Sequence, residues 1–570
     1  MKLMDALATT LSGWGIKYIF GVSGANIEHL HDAIHRLPDQ SIKSILAKSE
    51  IGAAFMADGH ARRHHTLGVC CATSGGGMMN LAVGIAESYN DSVPILALVG
   101  QPPMELEGRG AFQDSSGKPR SVNAFAMFST MSKFVARLDD PLTFWQNLAE
   151  AVSLALSDRP GPTVLLIPRN AYEWEVFSPP KDFPAELHAL RRTQAPSAKE
   201  VDALWQLICN ARDPVLILGS GVSRSSMQNY VFEFAKTSGI PVASTMADPG
   251  IYQNDMDNYF GMVGVAGHPS THDQINHQGD LIVLVGCGLN IMIRAQISMA
   301  CKNSRWAVVN VDPEPILDII DPCAVVRGDA GEVFHELLNR LISSTWHRKP
   351  ITPRTIARYT PELGQVQHTK EKSLRPSEAV FIMQDYLRTT THIIFDAGNC
   401  ASAALHYLKI PPGVSTNIAL GFGGMGYAIA AAIGAQLGCK KGQTTVICGD
   451  GAFLMMGVEV HTAVQYGLPI LFIVFNNASH GMCLTRQSVF FEGRFEAASY
   501  TPFDAQGFAR SLGNEATLWT GRAQTADELR RCLYEYHRAN LPGVLDLVVT
   551  ADELPPFAPL LPKTAKTYNG

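Results

Sequence analysis

The sequence is poor in charged residues and has no long uninterrupted apolar run. Charged side chains make up 17% of its 570 residues, and the formal net charge is -6 without basic blocks. Neutralising nucleic-acid phosphates needs clustered Lys and Arg, so we expect no nucleic-acid partner. A membrane-spanning helix needs about 18 apolar residues, and the nearest approach, 427–437, is shorter and contains Gly and Gln. We therefore expect no membrane association and a small-molecule partner.

The sequence also lacks signals for export and for disulfide bonding. Asp5 stands where a secretory signal would be apolar, and the first residues are too acidic for a mitochondrial transit peptide. The eleven cysteines form no Cys-x-x-Cys pair, and Cys70, Cys71 and Cys448 lie inside apolar stretches. Such positions are typical of reduced core thiols. These features predict a cytoplasmic protein without disulfides.

Short apolar runs alternate with helical stretches along most of the chain. Runs rich in Val, Ile and Leu occur at 18–22, 66–72, 94–99, 163–167, 215–218, 281–285, 307–311, 392–395, 444–448, 470–475 and 544–549. Continuous apolar strands separated by helices are typical of parallel sheets that are covered on both faces. The sequence therefore predicts an α/β protein.

Two stretches without an apolar strand interrupt this alternation. They are rich in Pro and polar residues and predict linkers at 177–199 and 346–376. The linkers separate domains at 1–176, 200–345 and 377–555, and a C-terminal tail follows at 556–570. The fold prediction is thus three doubly wound parallel-sheet domains.

Two polar motifs at strand ends in the third domain could bind one metal ion. Gly449, Asp450 and Gly451 follow one strand, and Asn476 and Asn477 follow the next. In a parallel sheet both motifs would lie at the carboxyl edge, where open α/β folds bind ligands. Mg²⁺ takes a few carboxylate or amide oxygens together with phosphate oxygens. Each motif alone is typical of a turn, whereas the pair favours a shared cation.

A glycine-rich segment upstream supports a competing interpretation. Gly421–Gly426 matches the dinucleotide-binding pattern G-x-G-x-x-G and opens a helix. It would make the protein a flavin or nicotinamide oxidoreductase. However, the preceding segment, 414–417, is a poor strand, and Asp450 would have to bind both a ribose and a metal. This interpretation is the alternative from another functional class.

A carboxylate begins a helix of small and apolar residues in the first domain. Glu50 follows the strand-like segment 44–47 and precedes the run 51–61, so we expect it to be partly buried. Buried carboxylates are costly unless they have a partner or a chemical role. An acid at a helix start is also favoured by the helix dipole, so both interpretations stay open. A second glycine turn, 73–77, leads into the next helix.

Taken in order, these motifs resemble the thiamine-diphosphate-dependent 2-oxo acid enzymes, in the branch of acetolactate synthase and benzoylformate decarboxylase. The resemblance runs from Tyr18 to about Leu554 and rests on residues 20–24, the Glu50 helix, residues 73–80 and 111–113, and the two strand-end motifs. It implies a pyrimidine-binding first domain, a central domain and a diphosphate-binding third domain, with Mg²⁺ as the second cofactor.

The resemblance implies a carboligase that decarboxylates a 2-oxo acid, with pyruvate as the expected donor, and transfers the acyl anion to a carbonyl acceptor. A non-oxidative decarboxylase that releases an aldehyde is the alternative within the family. The family's two cofactor-binding domains come from different subunits, so the resemblance implies at least a homodimer, with a homotetramer as the expected assembly. Glu50 of one copy would then face Asp450 of its neighbour.

The resemblance also implies roles for individual residues. Glu50 would bind the pyrimidine ring nitrogen, with Gln113 and His480 as further catalytic candidates. Met425 and the Gly424 carbonyl would lie against the cofactor. The other cofactor-binding candidates are Gly24, Thr73, Asn80, Asp396, Gly398, Asn399, Gly449, Asp450, Gly451 and Asn477, and the Mg²⁺ ligands are Asp450, Asn477 and the backbone oxygen of Ser479.

Three departures from the family pattern bear on substrate and cofactor. Arg486 stands where acetolactate synthases usually have Trp, which would change the acceptor pocket. Ala25 and Thr73 stand where benzoylformate decarboxylases have Ser and His. Residues 286–290 lack the Arg and Asp typical of flavin-containing members, which argues against bound FAD.

Overall fold

The computed structural model describes residues 1–346, 355–363 and 373–569, without the side chain of residue 388. The chain forms two compact units. The first comprises Met1–Arg192, Ala419–Lys440 and Met456–Leu468, and the second comprises Thr193–Ile418, Lys441–Met455 and Pro469–Gly570. One six-stranded sheet belongs to the first unit and two belong to the second.

The first sheet is parallel throughout. Its strands are β1 (Tyr18–Gly21), β2 (Lys43–Leu46), β3 (Gly68–Ala72), β4 (Ile95–Gln101), β5 (Phe134–Arg137) and β6 (Pro162–Pro168), in the order β2-β1-β3-β4-β6-β5. The helices of this part are α1 (Leu3–Gly13), α2 (Glu28–His35), α3 (Glu50–His64), α4 (Gly76–Asn90), α5 (Ala124–Ser129) and α6 (Phe144–Leu156).

The second sheet is also parallel, and both of its faces are buried. Its strands are β7 (Pro214–Leu218), β8 (Val242–Thr245), β9 (Tyr259–Val263), β10 (Leu281–Val285), β11 (Arg305–Asn310) and β12 (Ala324–Arg327), in the order β12-β11-β10-β7-β8-β9. Along β7, Leu216 and Leu218 join one apolar core while Val215 and Ile217 join another. Successive side chains of a strand point to opposite faces, so this alternation gives each face its own core.

Eight helices accompany the second sheet. They are α7 (Ala198–Asn210), α8 (Ser220–Ser223), α9 (Asn229–Ser238), α10 (Pro269–His277), α11 (Ile291–Arg294), α12 (Ser298–Asn303), α13 (Glu314–Leu317) and α14 (Ala330–Ser343). The domain boundaries stay a prediction. Helix α7 begins at Ala198, at the end of the segment expected to be a linker.

The third sheet follows two short strands, β13 (Ala357–Tyr359) and β14 (Glu362–Leu363). Its own strands are β15 (Thr390–Phe395), β16 (Ser415–Ile418), β17 (Gln443–Gly449), β18 (Ile470–Asn476), β19 (Trp519–Ala523) and β20 (Gly543–Val548), all parallel, in the order β16-β15-β17-β18-β20-β19. Two further strands, β21 (Glu553–Leu554) and β22 (Thr567–Asn569), pair antiparallel with β14 and β13.

The helices of the last third are α15 (Pro376–Gln384), α16 (Asn399–Tyr407), α17 (Tyr427–Gln436), α18 (Asp450–Met456), α19 (Val460–Gln465), α20 (Gly481–Phe490), α21 (Ala505–Arg510) and α22 (Ala526–Tyr536). Helices α17 and α19 belong to the first unit. Within the described ranges, no helix has both the length and the apolarity needed to cross a membrane.

The predicted class, α/β with three parallel sheets, is confirmed, and all eleven predicted strands are present. Each of the eleven is an interior strand, with a neighbouring strand on both sides. The six edge strands (β2, β5, β9, β12, β16 and β19) and one interior strand, β8, are not among them, although the sequence marks segment 44–47 as strand-like. The expectation that 414–417 is a poor strand is wrong, since β16 pairs with β15 there. An edge strand has one neighbour and needs less apolar sequence than an interior strand.

Candidate functional site

Glu50 is the first residue of α3, and its carboxylate is held at one oxygen. The preceding Ser49 caps the helix, since its Oγ accepts a hydrogen bond from the Gly52 amide at 3.0 Å. Asn80 Nδ2 donates to Glu50 Oε2 at 3.0 Å. A Cβ on Gly77 would lie 2.9 Å from Glu50 Oε1. Glycine at this position therefore keeps the space beside the second oxygen free of a side chain.

The turn before Glu50 is held by a carboxylate that sequence reasoning missed. The Glu459 side chain is fully buried, and its Oε1 accepts hydrogen bonds from the backbone amides of Lys48 and Ser49, each at 3.0 Å. Thr462 Oγ1 donates to its other oxygen at 2.8 Å. Burial raises the pKa of the Glu459 carboxyl. An acid inside an otherwise apolar helical stretch was the only available signal.

The structure also brings together the other predicted residues of the first domain. The backbone amide of Asn26 donates to Thr73 Oγ1 at 3.3 Å. Gly24 lies against the same threonine, because a Cβ on it would be 2.7 Å from Thr73 Cβ. Gly75 has a φ of +66° and would place a Cβ 2.8 Å from Gln113 Cβ. The glycines thus allow the loops that carry Thr73 and Gln113 to approach closely.

The segment 421–426, here called the glycine turn, leads into α17. Gly423 and Gly426 have φ values of +78° and +85°, in the left-handed region that favours glycine. Met425 is 37% exposed. The turn therefore presents a partly exposed apolar side chain just before a fully buried helix.

Three backbone amides of the glycine turn already have an anionic partner within the chain. Phe422, Gly423 and Gly424 donate to the Glu87 carboxylate, at 3.3, 2.9 and 3.4 Å. A dinucleotide-binding turn would use such amides to bind a diphosphate. Their engagement by Glu87 weighs against the oxidoreductase interpretation.

In the second unit, the polar residues at the ends of adjacent strands lie close together. Asp450 follows β17, and Asn477 follows the neighbouring β18. Asp450 Oδ2 accepts a hydrogen bond from the Asn477 amide at 3.1 Å, and Asp450 Oδ1 accepts one from the Gly451 amide at 3.0 Å. Burial raises the pKa of the Asp450 carboxyl. Asn477 Oδ1 in turn accepts from the amide and hydroxyl of Ser479, at 3.2 and 2.9 Å.

Asn399 follows β15, which pairs with β17, and its side chain lies near that of Asn477. A Cβ on Gly481 would lie 3.3 Å from Asn399 Nδ2 and 3.2 Å from Asn477 Nδ2. Asn399 Nδ2 donates to Thr485 Oγ1 at 3.0 Å, whereas its Oδ1 is buried without a hydrogen-bond partner among the residues that the structure describes. Gly398 has a φ of +103°, and nothing would lie within 4 Å of a Cβ there. A buried, unpaired amide oxygen next to open space is a candidate ligand contact.

Asp396 and Gly449 complete the predicted strand-end residues. Asp396 follows β15, is 2% exposed, and accepts a hydrogen bond from the Ala397 amide at Oδ1, 2.9 Å away. Gly449 ends β17, where a Cβ would be 3.8 Å from Cys400 Sγ. Because β15, β17 and β18 are neighbours, all of these residues lie at one carboxyl edge of the sheet.

His480 begins the segment that leads into α20. Its backbone amide donates to the Ala498 carbonyl at 2.8 Å, and its ring meets Tyr500 edge-on with centroids 5.5 Å apart. Its Nδ1 is buried, and no hydrogen-bond partner for it occurs in the described part of the chain. Further along α20, Arg486 is exposed, whereas the Gln487 amide group binds the backbone of the loop at residue 496, at 2.8 and 2.9 Å.

The residues that the family resemblance implies as Mg²⁺ ligands offer three kinds of oxygen: Asp450 a carboxylate, Asn477 a side-chain amide oxygen and Ser479 a backbone carbonyl. Across the described part of the chain, no group of three or more His, Cys, Asp or Glu side chains could hold a metal. The proposed Mg²⁺ ligands include only one carboxylate, so they do not form a group of that kind. Mg²⁺ commonly completes its octahedral coordination with phosphate oxygens and water.

Three family models match the chain in consecutive order. The description "Thiamine pyrophosphate enzyme, N-terminal TPP binding domain" matches residues 1–119, the central domain of the same enzymes matches 201–337, and their C-terminal TPP binding domain matches 396–547. The first matched range contains Glu50 and the third contains Asp450.

The chain is also similar over nearly its full length to proteins named as acetolactate synthase large subunits. A probable one from Methanocaldococcus jannaschii is 28% identical over 568 residues, covering 98% of this chain and 94% of the relative. One from Corynebacterium glutamicum is 28% identical over 565 residues, covering 96% and 86%. One from Haemophilus influenzae is 28% identical over 545 residues, covering 93% and 91%.

Proposed function

Because the chain belongs to the thiamine-diphosphate-dependent 2-oxo acid enzymes, we propose that it is a carboligase of the acetolactate synthase type. It would decarboxylate a 2-oxo acid, with pyruvate as the donor, and transfer the acyl group to a carbonyl acceptor. The full-length similarity to acetolactate synthase large subunits supports this choice. The observation that carries it is the Glu50 carboxylate, bound by Asn80 at one oxygen and kept accessible at the other by Gly77.

Thiamine diphosphate supplies, when bound, an electron sink for the loss of carbon dioxide from a 2-oxo acid. The residues of the first unit fit its pyrimidine end. Glu50 Oε1 would hold a proton against a ring nitrogen, since its other oxygen is already occupied by Asn80. Met425 and the Gly424 carbonyl would orient the ring from the glycine turn. Gly24, Thr73 and Gln113 would line the same site.

The residues of the second unit fit a diphosphate bound through Mg²⁺. Asp450, Asn477 and the Ser479 carbonyl would coordinate the ion, as the donor set described above supports. Asn399 and its neighbours Asp396 and Gly398 would bind the diphosphate oxygens. The glycines on either side of Asp450, Gly449 and Gly451, would let the backbone approach the phosphates. His480 would use its unpaired nitrogen on the substrate side.

We also propose an oligomeric state, a class of substrates, a cellular location and a reaction without FAD. We propose a homotetramer built from dimers in which each active site takes Glu50 from one copy and Asp450 from the other. The substrates are small 2-oxo acids and carbonyl compounds, the location is the cytoplasm, and no FAD is required. The sequence of residues 286–290 supports the last point, since it lacks the Arg and Asp of flavin-containing members.

The test is a proton NMR time course with thiamine diphosphate, Mg²⁺ and pyruvate, alone and with aldehyde or 2-oxo acid acceptors. We expect acetolactate or a mixed acyloin to form, and Glu50→Gln to lower the rate by at least about 100-fold, the size of a lost proton-transfer group. Acetaldehyde as the only product would instead indicate a decarboxylase. Unchanged pyruvate under every condition would refute the proposed donor.

A matched control separates the chemistry of Glu50 from the charge at a helix start. Glu28 is likewise the first residue of its helix, α2, and is exposed. We expect Glu28→Gln to keep the wild-type rate. Equal losses in both variants would show that Glu50 acts through the helix dipole alone and would remove it from the proposed catalytic residues.

A further inference from the structure

Glu87 is a fully buried carboxylate for which the proposed chemistry has no use. It lies on α4, and its side chain is 0% exposed. Its Oε2 accepts from the amides of Gly423 and Gly424, at 2.9 and 3.4 Å, and its Oε1 accepts from the amide of Phe422 at 3.3 Å. Three consecutive amides that converge on one carboxylate form an anion-binding nest. The occupant of this nest is part of the protein itself.

Arg62, the cation whose charge acts on Glu87, forms its ion pairs with two other carboxylates. Arg62 binds Asp58 on its own helix α3, with Nε 2.6 Å from Oδ1, and Asp91 after α4, with Nη2 2.9 Å from Oδ2. From α17, the Tyr427 hydroxyl donates to Asp58. The Arg62 guanidinium thus pairs with Asp58 and Asp91. The hydrogen bonds to Glu87 are donated by the amides of the glycine turn.

We propose that Glu87 is a positioning residue that fixes the glycine turn through these three amide hydrogen bonds. The proposal rests on the proposed function in one respect, since Met425 and the Gly424 carbonyl are assigned to the cofactor there. The contact itself does not depend on that assignment. Gly424 leaves little room for adjustment, because a Cβ on it would lie 3.1 Å from Phe55 Cζ and 4.0 Å from Glu87 Oε2.

Protonation of Glu87 would loosen the turn. An ionised carboxylate accepts several strong hydrogen bonds from amides, whereas a protonated one turns a hydroxyl towards at least one of them. Burial, and after it the charge of Asp91, raises the pKa of Glu87 to about 7, against the opposing charge of Arg62. The turn should therefore be held firmly above neutral pH and become progressively looser as the pH falls through 7.

The first measurement is amide hydrogen exchange of the cofactor-free wild-type protein at about pH 8 and about pH 6, with each rate divided by the intrinsic rate at that pH. We expect the protection of the peptide covering 420–427 to fall about tenfold at the lower pH, as for loss of a charge-assisted hydrogen bond. Equal protection at both pH values would overturn the proposal. This arm needs neither a variant nor any activity.

The second measurement is the dissociation constant of thiamine diphosphate with Mg²⁺, from about pH 6 to about pH 8, in wild type and Glu87→Gln. Since Gln cannot ionise and places an NH2 group among amide donors, we expect about tenfold weaker binding at pH 8. We also expect the variant to lose the wild-type step near pH 7. If the variant keeps that step, Glu87 is not its source and the proposal fails.

A matched control is Glu553→Gln, which removes a different buried carboxyl whose pKa burial also raises to about 7. Glu553 accepts hydrogen bonds from the backbone amide and the hydroxyl of Ser377. We expect wild-type behaviour from it in both measurements. If neither the wild type nor either variant binds thiamine diphosphate, the proposed function is refuted. The hydrogen-exchange measurement would still decide the role of Glu87.

Discussion

Glu459 and Ser49 are separated by 410 positions in the sequence, yet Glu459 Oε1 lies 3.0 Å from the Ser49 backbone nitrogen. The same oxygen accepts from the Lys48 amide. Ser49 caps α3, whose first residue is Glu50. The turn that precedes the proposed catalytic carboxylate is therefore bound by a second, buried carboxylate that is remote in the sequence.

Glu459→Gln should lower kcat more than it lowers cofactor affinity. In this variant the side-chain NH2 group would face the backbone N–H groups of Lys48 and Ser49, and two donors cannot bond to each other. Each donor left buried and unsatisfied costs about 1–3 kcal/mol of stability. We expect kcat to fall about tenfold or more, with the KM for pyruvate changed less. Steady-state kinetics check this. An unchanged kcat in a folded variant would show that the turn before Glu50 needs no support from Glu459.

Gly434→Ala should destabilise the packing of α17 on α3. A Cβ at this position would lie 1.8 Å from the Met56 carbonyl oxygen, so one of the two helices must move. Overpacking of this kind costs about 1–3 kcal/mol, and we expect a lower thermal unfolding midpoint. Gly13→Ala is the control, because it ends α1 and has nothing within 4 Å of the added Cβ. Equal midpoints for the two variants would contradict the close helix contact.

Mixing two inactive variants should restore activity if the active sites are shared between subunits. In a dimer of one Glu50→Gln chain and one Asp450→Ala chain, one site carries both changes and the other carries neither. Random pairing after dissociation and reassembly should recover about a quarter of wild-type activity, since about half of the dimers are mixed and each has one intact site. No recovery, with subunit exchange verified by mass spectrometry, would place Glu50 and Asp450 in sites built from single chains.

The stability of the second unit should fall with rising pH through the titration of Glu553. Burial raises its pKa to about 7 in the folded state, so between its ordinary value and 7 the folded chain binds more protons than the unfolded chain. Unfolding free energy therefore decreases as the pH rises through this window, by up to about 3 kcal/mol for this group.

Glu553→Gln removes this titration. We expect its thermal midpoint relative to wild type to rise between about pH 5 and about pH 8, as measured by differential scanning calorimetry at both pH values. A constant difference between the two proteins would mean that Glu553 keeps an ordinary pKa in the folded chain.

Eleven of the twelve interior strands in the described sheets could be predicted from the sequence, because burial on both faces leaves a continuous apolar run; the short β8, with Ser and Thr, could not. Among the edge strands, only β2 coincides with a segment that the sequence marks as strand-like. Segment 414–417 contains Ser, Thr and Asn, which predict a poor strand, yet β16 forms there. Its backbone pairs with β15 on one side only, so its side chains need not all be apolar.

The pairing of Asp450 with Asn477 was predictable for a related reason. Both follow apolar strands that are consecutive in a parallel pattern, and such strand ends meet at one edge of the sheet. The sequence also singled out Glu50, but it contained no local sign of the groups that hold it. Asn80 could be proposed only through the family resemblance.

By itself the sequence determined the α/β class, all but one of the interior strands in the described sheets and the order of the cofactor-binding motifs, because these depend on local composition and short spacing. The tertiary structure alone decided which carboxylates support that site. Glu87 lies 336 positions from the amide of Gly423, and Glu459 lies 410 positions from Ser49. Hydrogen bonds that backbone amides donate to a distant side chain require no particular residue type at the donor, so they leave no pattern to read in the sequence.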